Sequence, residues 1–138
     1  MNKPRTLEST YLLTKKLIAP FIVKYGNSLL VKKILIGGEK ITKKPVFDCK
    51  MCGQCILHST GMVCPMGCPK ELRNGPCGGV RQDSSCEIKP EMKCVWVRAW
   101  ENSKKMNVYK NAILDIQPPV DRSLQGSSSW INEFHKVK

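Results

Sequence analysis

No cysteine lies outside residues 49–94, although the chain of 138 residues holds eight of them. Long apolar runs are missing too. The longest uncharged one, Leu17–Val23, is seven residues and contains Pro20, far below the roughly 18–20 that a bilayer-spanning helix requires. The basic start, Lys3 and Arg5, leads into an apolar stretch that Lys15 and Lys16 interrupt. No small-residue cleavage site follows, so a secretory leader is not expected and the chain reads as cytoplasmic. A P-loop and a G-x-G-x-x-G after a strand pattern are both absent. At this length a roomy enzyme with its own substrate cleft is not expected either.

Acidic residues are scarce: 11 against 23 Lys and Arg, a formal net charge of +12. The excess is uneven. Residues 1–44 carry ten Lys or Arg against Glu8 and Glu39, whereas residues 45–138 carry thirteen against nine. A basic arm suits nucleic acid, an anionic membrane surface or an acidic partner protein, and it equally suits a solvated lysine face. Nucleic acid is the weakest of these, because aromatic and basic residues do not interleave as they do on base-stacking surfaces.

What is present is Cys49, Cys52, Cys55, Cys64, Cys68, Cys77, Cys86 and Cys94, spaced C-x2-C-x2-C-x8-C-x3-C-x8-C-x8-C-x7-C. Without a secretion signal, such density argues for metal-ligating thiolates over disulfides. The segment has few large aliphatic residues, so metal bonds are expected to supply much of its stability. Three thiolates at two-residue spacing suit three corners of a cubane cluster, and in ferredoxins a cysteine followed by proline completes one. Cys64-Pro65 and Cys68-Pro69 are two such cysteines. Eight ligands make two 4Fe–4S clusters, with zinc in one or both sites as the alternative. Contiguous and crossed groupings of the cysteines are both open. Gly53, Gly67, Gly75, Gly78 and Gly79 would let backbone N–H groups approach sulfur. His58 is read as a neighbour of the site, not a ligand.

The run Cys64-Pro65-Met66-Gly67-Cys68-Pro69-Lys70-Glu71-Leu72-Arg73-Asn74-Gly75-Pro76-Cys77-Gly78-Gly79 resembles the central motif of the methylenetetrahydrofolate reductase C-terminal-like domain. The Cys49–Cys55 triple, Cys86-Glu87, Cys94-Val95-Trp96, Gln117-Pro118-Pro119 and Ser128-Ser129-Trp130-Ile131-Asn132 fit the same pattern. The resemblance covers residues 46–134 and leaves the basic arm unexplained. It implies a non-catalytic electron-transfer or assembly subunit beside a flavin-bearing methylenetetrahydrofolate-reductase-like protein, with room for further electron-transfer subunits. It leaves clusters or zinc open. No residue set reads as a flavin, folate or nicotinamide site, which agrees with an accessory role. The alternative is a zinc-binding structural module that stabilises a partner enzyme or binds nucleic acid through its arm.

Around the cysteines, Thr6 is a plausible N-cap, and Leu7, Tyr11, Ile18, Ile22, Tyr25 and Leu29 form one helical stripe. Pro20 predicts a kink or two helices meeting there. Gly26-Asn27-Ser28 reads as a stop and a fresh cap, after which Leu29–Ile36 forms a second apolar segment ended by Gly37-Gly38. Glu39–Pro45 reads as a basic linker. Val95–Trp100 is expected to place both Trp rings as a lid over the cysteine module, and Lys104–Ile116 is weakly helical. Leu124–Trp130 reads as an extended tail. Leu7, Tyr11, Ile18 and Ile22 on the arm, with Trp130, Ile131 and Phe134 on the tail, are the expected docking anchors for a partner; self-packing of the arm on the module is the competing reading. The expected fold is thus a small metal-dominated domain with little regular structure, preceded by a helical arm (1–44) and followed by a short helix and an extended tail (101–138), with the cysteine module at 45–100.

Overall fold

The first 47 residues are dominated by two long helices joined by a three-residue turn. The computed structural model describes residues 3–135. Helix α1 spans Lys3–Tyr25, α2 Leu29–Phe47, α3 Val95–Ser103 and α4 Ser129–His135, with single 3-10 turns at Pro65–Gly67, Ala112–Leu114 and Arg122–Leu124. Helices make up about 50% of the structure, which overturns the expectation of a metal-dominated domain with little regular structure and an extended tail.

The physical reasons lie in long-range contacts. Helix α1 continues through Pro20. Proline there removes the hydrogen bond to the Lys16 carbonyl, and both residues are exposed, so water can serve that oxygen. The stop at Gly26 is real: Ser28 is the N-cap of α2, and its N–H donates to the Tyr25 carbonyl at 3.0 Å. By contrast, α2 does not end at Gly37-Gly38, and Glu39–Pro45 is helix, not linker. Each glycine costs about 1 kcal/mol of helix propensity. Buried contacts of Glu39, the next residue, and of Lys43, a turn beyond it, outweigh that cost.

The chain divides into two compact units. One comprises Met1–Ser9 and Ile56–Pro119, the other Thr10–Cys55 and Val120–Lys138. In the first, Val63, Cys94, Val95, Trp96 and Ala99 form the core, with Cys68, Val80, Met92, Val97 and Ile113 packed on it. Trp96 donates its indole N–H to the Leu72 carbonyl at 3.2 Å. Trp100 is 45% exposed with the Lys104 ammonium 4.8 Å over its ring, so only one of the two expected lid tryptophans is inside. Gly61 lies flush on α3: a Cβ there would stand 2.5 Å from the Ala99 carbonyl oxygen. The expected helix over Lys104–Ile116 shrinks to the one turn Ala112–Leu114. Instead, Glu8 holds this stretch by accepting the backbone N–H groups of Asn107, Val108 and Tyr109 at 2.8–2.9 Å.

In the second unit the tail folds onto the arm. The Trp130 ring stacks on Tyr11, centroids 5.2 Å apart, and Phe134 stacks on Trp130 at 6.4 Å. Lys15 bonds Glu133 at 2.5 Å, and Ile22 is wholly buried. Tyr11, Ile22, Trp130 and Ile131 are buried in this unit, with Ile18 and Phe134 half-buried in it and Leu7 half-buried in the other. For Tyr11, Trp130 and Phe134, three of the expected docking side chains, a ring partner lies inside the chain.

Replacing Trp130 by alanine should remove the stacked core of this unit and cost about 4 kcal/mol. Trp100→Ala, at a half-exposed position, should cost about 1 kcal/mol or less. Urea denaturation of both variants against the parent measures the difference; equal losses would contradict the packing described.

Candidate functional site

The loop that carries Cys49, Cys52 and Cys55 begins where α2 ends. Asp48, the C-cap, is left-handed at φ 49° and ψ 46°, and Met51 and Gly53 follow with φ of 52° and 72°. Three left-handed residues within six positions coil the backbone tightly around the thiols. Only glycine suits position 53. A Cβ would meet the Leu124 carbonyl oxygen at 2.3 Å and the Ser127 hydroxyl at 2.6 Å, because the tail lies directly on the loop.

That tail is the loop's second wall. The Gly126 N–H donates to the Met51 carbonyl at 2.7 Å, and the Gln125 amide donates to the Lys50 carbonyl at 2.7 Å. Asn132 donates to the Gly53 carbonyl at 2.8 Å. Gln54 pairs with the backbone of Asp121 in both directions, at 2.9 and 3.2 Å, as a strand neighbour would. Loop carbonyls that would otherwise face solvent or remain buried without donors are thus satisfied.

Behind the loop sits a buried ion pair. Glu39 accepts from Lys43 at 2.9 Å, from the hydroxyls of Ser128 and, at 2.6 Å, Ser129, and from the Ser129 and Trp130 N–H groups at 3.3 Å. Lys43 also donates to the Ser129 hydroxyl at 2.8 Å and lies 4.9 Å from the centre of the Trp130 ring. Burial would raise the Glu39 pKa, but the Lys43 charge and the serine hydroxyls overcome it, and the carboxyl is held below its ordinary value. Burial would likewise lower Lys43; the nearby Cys55, Glu39 and Cys49 charges hold it up. The Cys49 thiol is pushed up, first by burial and then by Cys52 and Glu39, against the Met51 N–H and Lys43, which favour its thiolate. The Met51 N–H reaches the Cys49 sulfur at 3.4 Å.

The other five cysteines belong to the other unit. Cys64 and Cys68 bracket the 3-10 turn Pro65–Gly67. Cys86 and Cys94 stand on facing arms of a short pairing around the Ser85–Lys93 bridge: the Cys86 N–H reaches the Met92 carbonyl at 2.9 Å and the Cys94 N–H the Ser84 carbonyl at 2.8 Å. Cys94 is also the N-cap of α3. Cys77 approaches Glu87 at 3.7 Å, and Glu87 is paired with Lys70. The Asn74 amide and the Gln117 backbone bond each other at 2.6–2.7 Å, which ties the motif around Cys77 to Gln117-Pro118-Pro119. His58 packs its ring on Tyr109, centroids 5.1 Å apart.

All eight cysteines fall among the described residues, and none is in a disulfide. Cys52 and Cys94 are buried and the rest half-buried. Among the described residues no three Cys, His, Asp or Glu side chains stand together closely enough to hold a metal ion. The donors nevertheless suit a thiophilic group in kind: reduced sulfurs, a backbone N–H on one of them, a helix N-terminus at another and a buried ammonium beside the triple. Sequence reasoning missed Glu39, Lys43, Gln54, Asn74 and Asn132. The Glu39/Lys43 spacing of four on a helix was the available signal.

A family model described as methylene-tetrahydrofolate reductase C terminal matches residues 29–123. That span contains all eight cysteines, and it starts at the first residue of α2, so part of the basic arm lies within it. No curated protein and no solved structure matches the chain.

Two expectations follow. With its folded pKa depressed, Glu39 contributes stability above its ordinary value of 4.5 that is lost as the pH falls through and below it. Glu39→Gln should flatten that part of the stability–pH profile and cost about 3–5 kcal/mol at neutral pH, since it strands Lys43; chemical denaturation across pH measures both. Gly53→Ala should cost more than the roughly 1–2 kcal/mol of left-handed strain, because the tail must lift as well. Limited proteolysis should then cut after Arg122 far faster than in the parent.

Proposed function

The chain belongs to the methylene-tetrahydrofolate reductase C-terminal family, and we propose that it is a non-catalytic, metal-holding subunit that exchanges electrons with the flavin of a methylenetetrahydrofolate-reductase-like partner. The observation that carries the reading is the set of eight thiols, none in a disulfide, three of them on one tightly coiled loop. Cys49, Cys52, Cys55, Cys64, Cys68, Cys77, Cys86 and Cys94 would hold two 4Fe–4S clusters. Such clusters supply one-electron transfer when bound, at a potential set by hydrogen bonds to sulfur, charge and burial. Family membership supports association with a reductase-like protein, and catalysis is assigned to that partner.

The chain's own residues supply the setting. Lys43 places a buried positive charge beside Cys49 and Cys55, and the Met51 N–H donates to the Cys49 sulfur. Both act in favour of the Cys49 thiolate, against burial, which pushes that thiol up. The tail, through Gly126, Gln125 and Asn132, covers the loop carbonyls and limits the access of water. Cys68 and Cys94 are part of the apolar cluster around Trp96, which keeps the surroundings of those sulfurs dry.

Anaerobic purification followed by iron, sulfide and zinc analysis tests the proposal. The expected result is a brown protein with about eight iron and eight sulfide per chain, falling to about half in Cys52→Ser. A colourless protein with zinc alone would retain the structural role and remove electron transfer.

A further inference from the structure

One face of α1 carries Tyr11, Lys15, Ile18 and Ile22: Tyr11 and Lys15 meet Trp130 and Glu133 on α4, and Ile22 is buried. The opposite face is also apolar. Leu13, Leu17 and Phe21 recur every fourth residue there and are 59%, 67% and 49% exposed. Helix α2 repeats the pattern. Its inner face presents Glu39 and Lys43 to residues 128–130, while Leu30, Ile34 and Ile41 lie on the outside, 69%, 63% and 76% exposed. A helix apolar on both sides is covered on both sides when it works.

Charge identifies the cover. Between Thr10 and Phe47 the only acidic residue is Glu39, and it is buried. Lys33, Lys40 and Lys44 run along one edge of the outer stripe of α2 at helical spacing, and Lys16 and Lys24 accompany that of α1. No arginine occurs in this span. Protein–protein interfaces are enriched in Arg and depleted in Lys, whereas helices that lie in a lipid headgroup layer combine aliphatic and Phe side chains with lysines that extend to the phosphates. Among the described residues no helix is long and apolar enough to cross a membrane, so the geometry is one of lying on the surface. We propose that the outer faces of α1 and α2 bind an anionic membrane surface, placing the chain as a peripheral protein.

Vesicle flotation with the full, metal-loaded chain tests this. Vesicles of phosphatidylcholine mixed with phosphatidylglycerol should carry the protein upward, and phosphatidylcholine alone should carry far less. Added salt should weaken the binding. Each lysine removed from an anionic surface weakens partitioning about five-fold, so K33Q/K40Q/K44Q should lose about a hundredfold. L17Q/F21Q should lose binding at every salt concentration. The lysines are exposed, so the triple variant keeps the test meaningful even if L17Q/F21Q misfolds, which far-UV circular dichroism would show. Absence of flotation, or indifference to phosphatidylglycerol, overturns the proposal. So does a parent that stays unfloated while both variants lose co-elution with a methylenetetrahydrofolate-reductase-like flavoprotein, because the face then belongs to a protein.

Discussion

The Glu39 carboxylate is the constraint on which the second unit depends. A buried charge is tolerated only when its hydrogen-bonding capacity is met, and Glu39 meets it with Lys43, two serine hydroxyls and two backbone N–H groups. Four of those five donors come from residues 128–130. The ion pair therefore fixes where the tail must lie, and the tail in turn fixes the loop of Cys49, Cys52 and Cys55 through Gly126, Gln125 and Asn132. Removing either partner leaves an uncompensated charge in the interior, so the arrangement tolerates little compromise.

Much of the site was legible in the sequence, and less of the fold. Cysteine spacing singled out the thiols, and the Cys64–Gly79 run pointed to the family that the match to residues 29–123 establishes. The turn at Gly26-Asn27-Ser28 was legible because its signals are local. The second half of α2 was not. Gly37, Gly38 and Pro45 all read as breakers, and what overrides them comes from residues about 90 positions away. For Trp130, Ile131, Tyr11 and Ile22, side-chain chemistry correctly demanded burial but said nothing about the partner. An internal partner and an external one leave the same pattern in one amphipathic stripe. The second, outward stripe of α1 is interleaved with the first and was hidden by it.

The two glutamates of the N-terminal helices play parallel parts. Glu8 gathers three consecutive N–H groups at 107–109, and Glu39 gathers the start of α4. Each uses a single carboxylate to anchor the backbone of a distant stretch. In a chain whose surface is so rich in lysine, the few acidic residues that are buried are spent on architecture.

The unit that holds the cysteine triple is assembled from residues 10–55 and 120 onward, and this has a consequence for the order of events on the ribosome. All three thiols emerge well before the segment that covers them. Until Gly126, Ser128 and Asn132 leave the exit tunnel, the loop lacks its wall and Glu39 lacks most of its donors. The triple therefore lacks its cover during synthesis until residues 120–132 arrive. Closing of the unit waits for residues 120–132, and nascent chains stalled before residue 120 would display these thiols without the tail that lies on their loop in the folded protein.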